Sequence, residues 1–302
     1  MPRAFRLVRL VVVAAVCALA LCAQAVRLTA ADVADPLPSV VARASTWAAA
    51  FARSAVSLLA REHYEQEVRR RAGSSAVPID SDAGVTIERR VLDSEVALVE
   101  TGAEYLWLLA RDVQQVDGKA VADKDRIPLP AVGRLSQDEA VQAFRRVAGQ
   151  GARYNIGRIS RDMNVPTLAL WLFIPGLAGR LRFEVAGREP VAGIECEVVR
   201  YTERRAPYLF QANGVPTAVR GRAWIASDTG AILRTELILE SRSGTGRARV
   251  TVTYAFDERL QQWVPREMSE RYDDLRRQAE GFVMGTASYR DYRRFETSTR
   301  IR

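Results

Sequence analysis

The sequence predicts an α+β fold, a large curved antiparallel sheet with a few helices over its apolar face. Three observations carry this. Residues 180–295 divide into seven consecutive strand-like segments, at 180–187, 193–204, 219–227, 231–241, 247–256, 262–272 and 281–295. The clearest of them alternates, with Val250, Val252, Tyr254 and Phe256 facing one way and Arg249, Thr251 and Thr253 the other. That is the period of a strand with one buried and one solvated face. Helical patterns are few, at 39–59 and from Ser136 to about Gly149. A meander of this length with one oily face must cover that face or use it.

The first 25 residues read as a secretory signal rather than as fold. Arg3, Arg6 and Arg9 make a basic start, and no acidic residue precedes Asp32. The apolar run 10–21 is too short to span a bilayer comfortably. Ala23-Gln24-Ala25 then supplies small residues for cleavage. An uncleaved N-terminal anchor is one alternative. A lipoprotein signal on Cys22 is another, although bulky Leu21 stands where that signal wants Gly or Ala. The expectation is a single exported domain over 26–302, secreted across the inner membrane.

Along that domain, Pro36 and Pro38 close a short linker. The 39–59 helix follows, with Val40, Ala44, Trp47, Phe51, Ala55 and Leu58 along one stripe and no Gly or Pro. Residues 62–71 read as a strand in which Tyr64, Gln66 and Val68 alternate with charged neighbours, and 72–84 as a small-residue loop. Strands at 85–100 and 104–116 come next; Asp117-Gly118 then marks a tight hairpin with a short partner at 119–122. Ser136 as N-cap with Glu139 three positions on forms a capping box for the second helix. The run 166–174 is compact and apolar, ending at Pro175-Gly176, and reads as a buried strand or a short amphipathic helix on the sheet. Turn residues at 228–230, 243–246 and 257–261 separate the later strands.

Chemistry-bearing residues are sparse. With Cys17 and Cys22 in the signal, Cys196 is the one cysteine left, so no internal disulfide is available. It shares a face with Ile194 and Val198 and reads as a small buried apolar residue, with flanking Glu195 and Glu197 disfavouring a thiolate. His63 is the only histidine and cannot build a zinc site or a triad without partners, none of which the spacing supplies. Asp123 and Asp125 resemble the start of a calcium loop but lack its Gly and its later Glu. No phosphate-binding Gly-rich loop occurs. The expectation is therefore no catalytic residue, no metal and no cofactor. The net charge of +8 falls to +5 once the signal arginines leave, and nearly all of it is arginine spread evenly along the chain. No basic stripe with interleaved aromatics is present, so nucleic acid is not an expected partner.

Tryptophans are the more informative feature. Trp47 lies on the first helix, Trp107, Trp224 and Trp263 in strands, and Trp171 in the apolar run. They are either ordinary core or the wall of a cavity between a curved sheet and its helical cover.

One further pattern runs through the meander. Gly221-Arg222-Ala223-Trp224-Ile225 is followed by Gly230-Ala231-Ile232-Leu233-Arg234, then by Val250-Thr251-Val252-Thr253-Tyr254, Trp263-Val264-Pro265-Arg266-Glu267-Met268 and Gly285-Thr286-Ala287-Ser288-Tyr289. This resembles the LolA/LolB-like lipoprotein-carrier superfamily, mainly over 180–295. The resemblance implies a periplasmic open half-barrel whose concave face binds acyl chains beneath helices, and a sister group that uses the fold as a sensor in envelope-stress signalling. The added N-terminal length departs from the carriers.

The expected function is an exported binding protein that holds a lipid, or the acyl chains of a lipidated protein, in an aromatic-lined groove. Trp107, Phe183, Trp224, Leu237, Tyr254 and Trp263 are the candidate wall, with Trp47 and Phe51 on the covering helix. An envelope sensor that binds a protein partner on the same fold is the alternative, and peripheral membrane contact is compatible with either. An enzyme would need a convergent polar constellation that the sequence does not display.

Overall fold

The computed structural model describes residues 37–55, 58–71, 85–100, 107–126, 153–157, 159, 161, 164–204, 206, 208–212, 215–241, 246–274 and 281–294. Helix α1 (Ser39–Ala55) leads into strands β1 (Leu58–Arg71), β2 (Val85–Glu100), β3 (Trp107–Val116) and β4 (Lys119–Ala120). After the 3-10 turns Asp123–Asp125, Leu168–Phe173 and Ala178–Arg180 come β5 (Leu181–Val191) and β6 (Ile194–Glu203). A small hairpin, β7 (Phe210–Ala212) and β8 (Val215–Thr217), precedes β9 (Val219–Ala226), β10 (Ile232–Glu240), β11 (Gly246–Asp257), β12 (Gln262–Asp274) and β13 (Phe282–Arg294).

Eleven strands form one open antiparallel sheet in the order β4-β3-β2-β1-β13-β12-β11-β10-β9-β6-β5. All but two neighbouring pairs are successive along the chain. The β6–β9 pair steps over the small hairpin, and the β1–β13 pair joins the first long strand to the last. That seam runs from Leu58↔Arg294 to Arg69↔Phe282, with an irregularity near Ala60. It makes one continuous sheet of the N-terminal strands and the meander.

The inner face lies under α1 and the segment 166–174. Val40, Ala44, Ala48, Phe51 and Ala55 of α1 are buried, at the i, i+4, i+8 spacing of one helical stripe. Helix α1 ends at Ala55 and Leu58 and Leu59 already belong to β1, so the helix is shorter than the expected 39–59. The run 166–174 is the short helical option of the two expected: Leu168–Phe173 is a 3-10 helix with all six residues buried. The helix expected from Ser136 falls outside the described residues. The seven strands of the meander match expectation to within a few residues, whereas β7–β8 was not anticipated.

That hairpin is tied down by one buried carboxylate. Glu203 accepts the backbone N–H of Leu209 at 2.9 Å and of Val219 at 3.4 Å, and Arg180 lies 3.7 Å away. Phe210 is thereby buried in the main core. Phe256, expected on the inner face, is 40% exposed at the end of β11. Its ring meets Trp263 edge-on at 5.7 Å instead.

Candidate functional site

The inner face has two chemically distinct halves. Over β6, β9, β10 and β11 it is apolar: Val199, Ala223, Leu237, Leu239, Val250 and Val252 are buried in one cluster with α1 and the 168–174 segment. Leu168, Leu170, Leu172, Phe173 and Ile174 are each at most 5% exposed, and burying a side chain of this size is worth about 1.5–3 kcal/mol. Phe173 is the hub, 5.5 Å from the Phe183 ring and edge-on to Tyr201 at 5.8 Å. The segment forms no strand of the sheet; Tyr254 Oη donates to Pro166 O at 2.8 Å at its start. An apolar plug thus occupies the curve of the sheet.

Over β1, β3, β12 and β13 the same face is ionic. Arg111 on β3 makes a two-pronged pair with Glu62 on β1, Nε to Oε2 at 2.5 Å and Nη2 to Oε1 at 2.8 Å. Its Nη2 also donates to Asn164 O at 3.2 Å. Burial works against the guanidinium charge, but Glu62 more than offsets it and holds the Arg111 pKa above its ordinary value. Glu270 on β12 accepts from Tyr64 Oη and from Tyr272 Oη, the latter at 2.8 Å. Burial and the Glu270 charge push both phenol pKa values well up, so both tyrosines are donors. Arg161 is fully buried among these groups: its Nη2 donates to Gln66 Oε1 and to Ile156 O at 3.3 Å, and its Nη1 lies 3.7 Å from Glu270 Oε1. Gly285 on β13 makes room. A Cβ there would stand 2.6 Å from Glu270 Oε1 and 2.7 Å from Tyr64 Cε2, so the missing side chain lets β1 and β12 bond across β13.

Leu237 and Tyr254 lie buried on the apolar half, and Phe51 on α1 is buried above it. Trp47 stacks on Phe51 at 5.5 Å; Phe183 and Trp263 are half-buried at the margins of the same cluster. Trp107 opens β3, but its side chain lies outside the described residues. Trp224 requires a correction, because it is not on the inner face. Ala223 and Ile225 take the inward positions of β9, which turns Trp224 outward, since neighbours on a strand face opposite ways. There it packs with Cys196, Val198 and Leu233 in a second cluster. Its Nε1 donates to Glu189 at 2.7 Å, with Arg222 and Arg234 over its ring at 5.0 and 5.3 Å.

The ionic half went unread in the sequence although its signal is there. Glu62 has the parity of Tyr64, Gln66 and Val68, and Glu270 that of Met268 and Tyr272, so both acids stand on the buried side of their strands.

Two depressions of about 360 and 310 Å³ open on the opposite, polar face, over β11, β12, β13 and β1. His63 lines one of them. Its Nδ1 is 2.8 Å from Asp93 and its Nε2 3.3 Å from Glu65. The Asp93 hydrogen bond, against some loss to burial, raises its pKa above the ordinary value. Asp125 is engaged by Arg153 at 3.3 Å and Asp112 by Arg126. Among the described residues no group of three His, Cys, Asp or Glu could hold a metal, and no helix is long and apolar enough to cross a membrane. Cys196 is free and buried, and burial pushes its thiol pKa up.

No protein-family model matches the chain, and no curated protein matches it. Solved structures similar to it include a DUF1329 family protein from Desulfovibrio piger. That protein is 12% identical, over 86% of this chain and 99% of its own, with a TM-score of 0.34. Another is a putative outer membrane lipoprotein-sorting protein domain from Vibrio parahaemolyticus, 10% identical over 80% and 87%, with a TM-score of 0.29. The lipoprotein LppX of Mycobacterium tuberculosis is 11% identical over 85% and 96%, with a TM-score of 0.30. The fold class read from the meander is the one this chain adopts: an open antiparallel half-barrel with a helix and a helical plug on its inner face.

Proposed function

We propose that the protein is an exported, periplasmic carrier that holds the acyl chains of a lipid or a lipidated protein against the apolar half of its inner face. The observation that supports this is the plug. Leu168–Phe173 and Ile174 fill the curve of an open sheet as a strip of apolar side chains belonging to no strand of it. A strip of this kind can be exchanged for another of similar shape without unpairing the sheet. A chain of roughly a dozen methylenes at about 0.8 kcal/mol each supplies about 10 kcal/mol gross. After ordering costs, and with the plug re-sheltered elsewhere, that is compatible with micromolar binding, near 8 kcal/mol. The bottom of the site is Leu237, Val250 and Val252, with Tyr254, Phe183 and Trp263 toward its margins and Phe51 and Trp47 above. The test is native mass spectrometry of the protein purified from envelopes, followed by uptake of a fluorescent acyl probe after delipidation. Co-purified lipid and saturable uptake support the carrier. A protein that carries no lipid and takes up no probe sinks it.

A second reading follows from the same plug. A filled inner face is a resting state, and an element that leaves when something else enters is the two-state device a sensor needs. Capture from envelope extract separates the two: lipidated cargo supports the carrier, one stoichiometric protein partner the sensor.

A further inference from the structure

The ionic half of the inner face holds more buried donors than acceptors. Arg161 is 0% exposed, and its Nε and Nη1 have no hydrogen-bond partner among the described residues. Asn164, 4% exposed, gives its carbonyl to Arg111, while its Nδ2 also lacks a partner. Of the nearby acceptors, Asn155 Oδ1 has no partner either, and the others are occupied. Glu270 serves Tyr64 and Tyr272, which leaves Arg161 Nη1 beyond hydrogen-bond reach at 3.7 Å. Gln66 Oε1 serves Arg161 Nη2 and the Ile156 N–H. Buried donors left unmade are costly, and buried polar groups in folded proteins are as a rule paired.

Charge decides what kind of acceptor fits. Arg111 and Arg161 are already balanced by Glu62 and Glu270. A carboxylate or phosphate would leave an excess negative charge in a site closed to water, which desolvation disfavours. A neutral carbonyl oxygen satisfies the donors without that cost. Position agrees: Arg161 and Asn164 lead directly into Pro166 and the plug, so a head bound here has its tail where the plug lies. Resting on the carrier reading, we infer that Arg161 Nε and Nη1 and Asn164 Nδ2 receive the ester or amide carbonyls at the head of the bound acyl chains, and that the site discriminates against free acids.

The test compares three chain-matched probes on the full mature protein by competition native mass spectrometry at neutral pH: dilauroylglycerol, its didodecyl ether and laurate. The ester is expected to bind ~10-fold or more tightly than the ether, the value of one carbonyl accepting from a charged donor, and more tightly than laurate. Asn164→Leu, which keeps the backbone carbonyl that serves Arg111, is expected to narrow the ester–ether gap by weakening the ester more than the ether. Equal binding of ester and ether overturns the inference and leaves the carrier standing, with buried water as the partner of these donors. Tightest binding by laurate overturns the choice of a neutral head. Failure of all three to bind overturns the carrier reading itself.

Discussion

The Glu62–Arg111 pair permits a worked prediction. Both side chains are almost fully buried, at 0% and 3% exposure, and joined by two hydrogen bonds. Arg111→Met leaves the Glu62 carboxylate in the core without its counter-ion, and removing one partner of a buried pair costs about 3–5 kcal/mol. Glu62→Leu strands the guanidinium and is expected to cost a similar amount. In a domain of this size 1 kcal/mol shifts the melting point by about 2–4 °C, so each single variant should melt about 6–20 °C lower. The double variant Glu62→Leu/Arg111→Met removes both charges together. It should lie within about 1 kcal/mol of the parent, because a buried pair exchanged for apolar side chains of similar volume is often neutral. Urea unfolding followed by tryptophan fluorescence measures all four corners of the cycle. Single variants costing under about 1 kcal/mol, or a double variant as damaged as the two singles added, would refute a coupled buried pair.

Three further outcomes follow. Gly285→Ala should cost about 1–3 kcal/mol in urea unfolding, because its Cβ would crowd Glu270 and Tyr64; an unchanged midpoint contradicts the close approach. His63, the only histidine, should titrate by proton NMR of the tag-free protein above the ordinary 6.5 and drop in Asp93→Asn. Its pKa is raised in the folded state, so its contribution to stability is complete below about 6.5 and is lost as pH rises through the folded value; an Asp93→Asn titration identical to the parent excludes Asp93 as the cause. Cys196, buried and with its thiol pKa raised, should react with a thiol reagent only after unfolding, and fast reaction in the native protein would place it at the surface instead.

The meander was legible because its strands obey a local rule. Val250, Val252 and Tyr254 show their face by alternation alone, and Asp228-Thr229-Gly230 and Asp117-Gly118 mark their turns, the latter with positive φ at both residues. The fold class and the cover by α1 followed from those patterns. Trp224 departs from its expected place by parity, which its own strand displays: Gly221, Ala223 and Ile225 are the inward set, and Arg222 and Arg234 mark the outward side. The run 166–174 is apolar at every position, so no period could choose between strand and helix. The partners in the ionic half were beyond any local rule. Glu62 meets Arg111 from 49 residues away, and Tyr64 meets Glu270 from 206.

Those long separations bear on why such a sheet would keep ions in its core at all. A buried pair adds little over apolar packing, so stability alone does not account for it. The ionic half sits on the β1–β13 seam, the pairing with the longest loop to close. Arg111 on β3 reaches Glu62 on β1; Tyr64 on β1 reaches Glu270 on β12 over Gly285 on β13. These contacts tie four strands at one register. A slip of two residues along the seam would keep every side chain on its proper face, so the apolar pattern cannot forbid it. It would, however, move the Gly285 gap away from Tyr64 and Glu270. The network therefore acts as a register pin, a use for which buried polar groups are attested. Tyr64→Phe cuts the contact that crosses the seam over Gly285 and tests this role: it should lose the unique seam, visible as doubled amide resonances for β1 and β13. One set of resonances at parental shifts would show that the apolar face and the turns set the register by themselves.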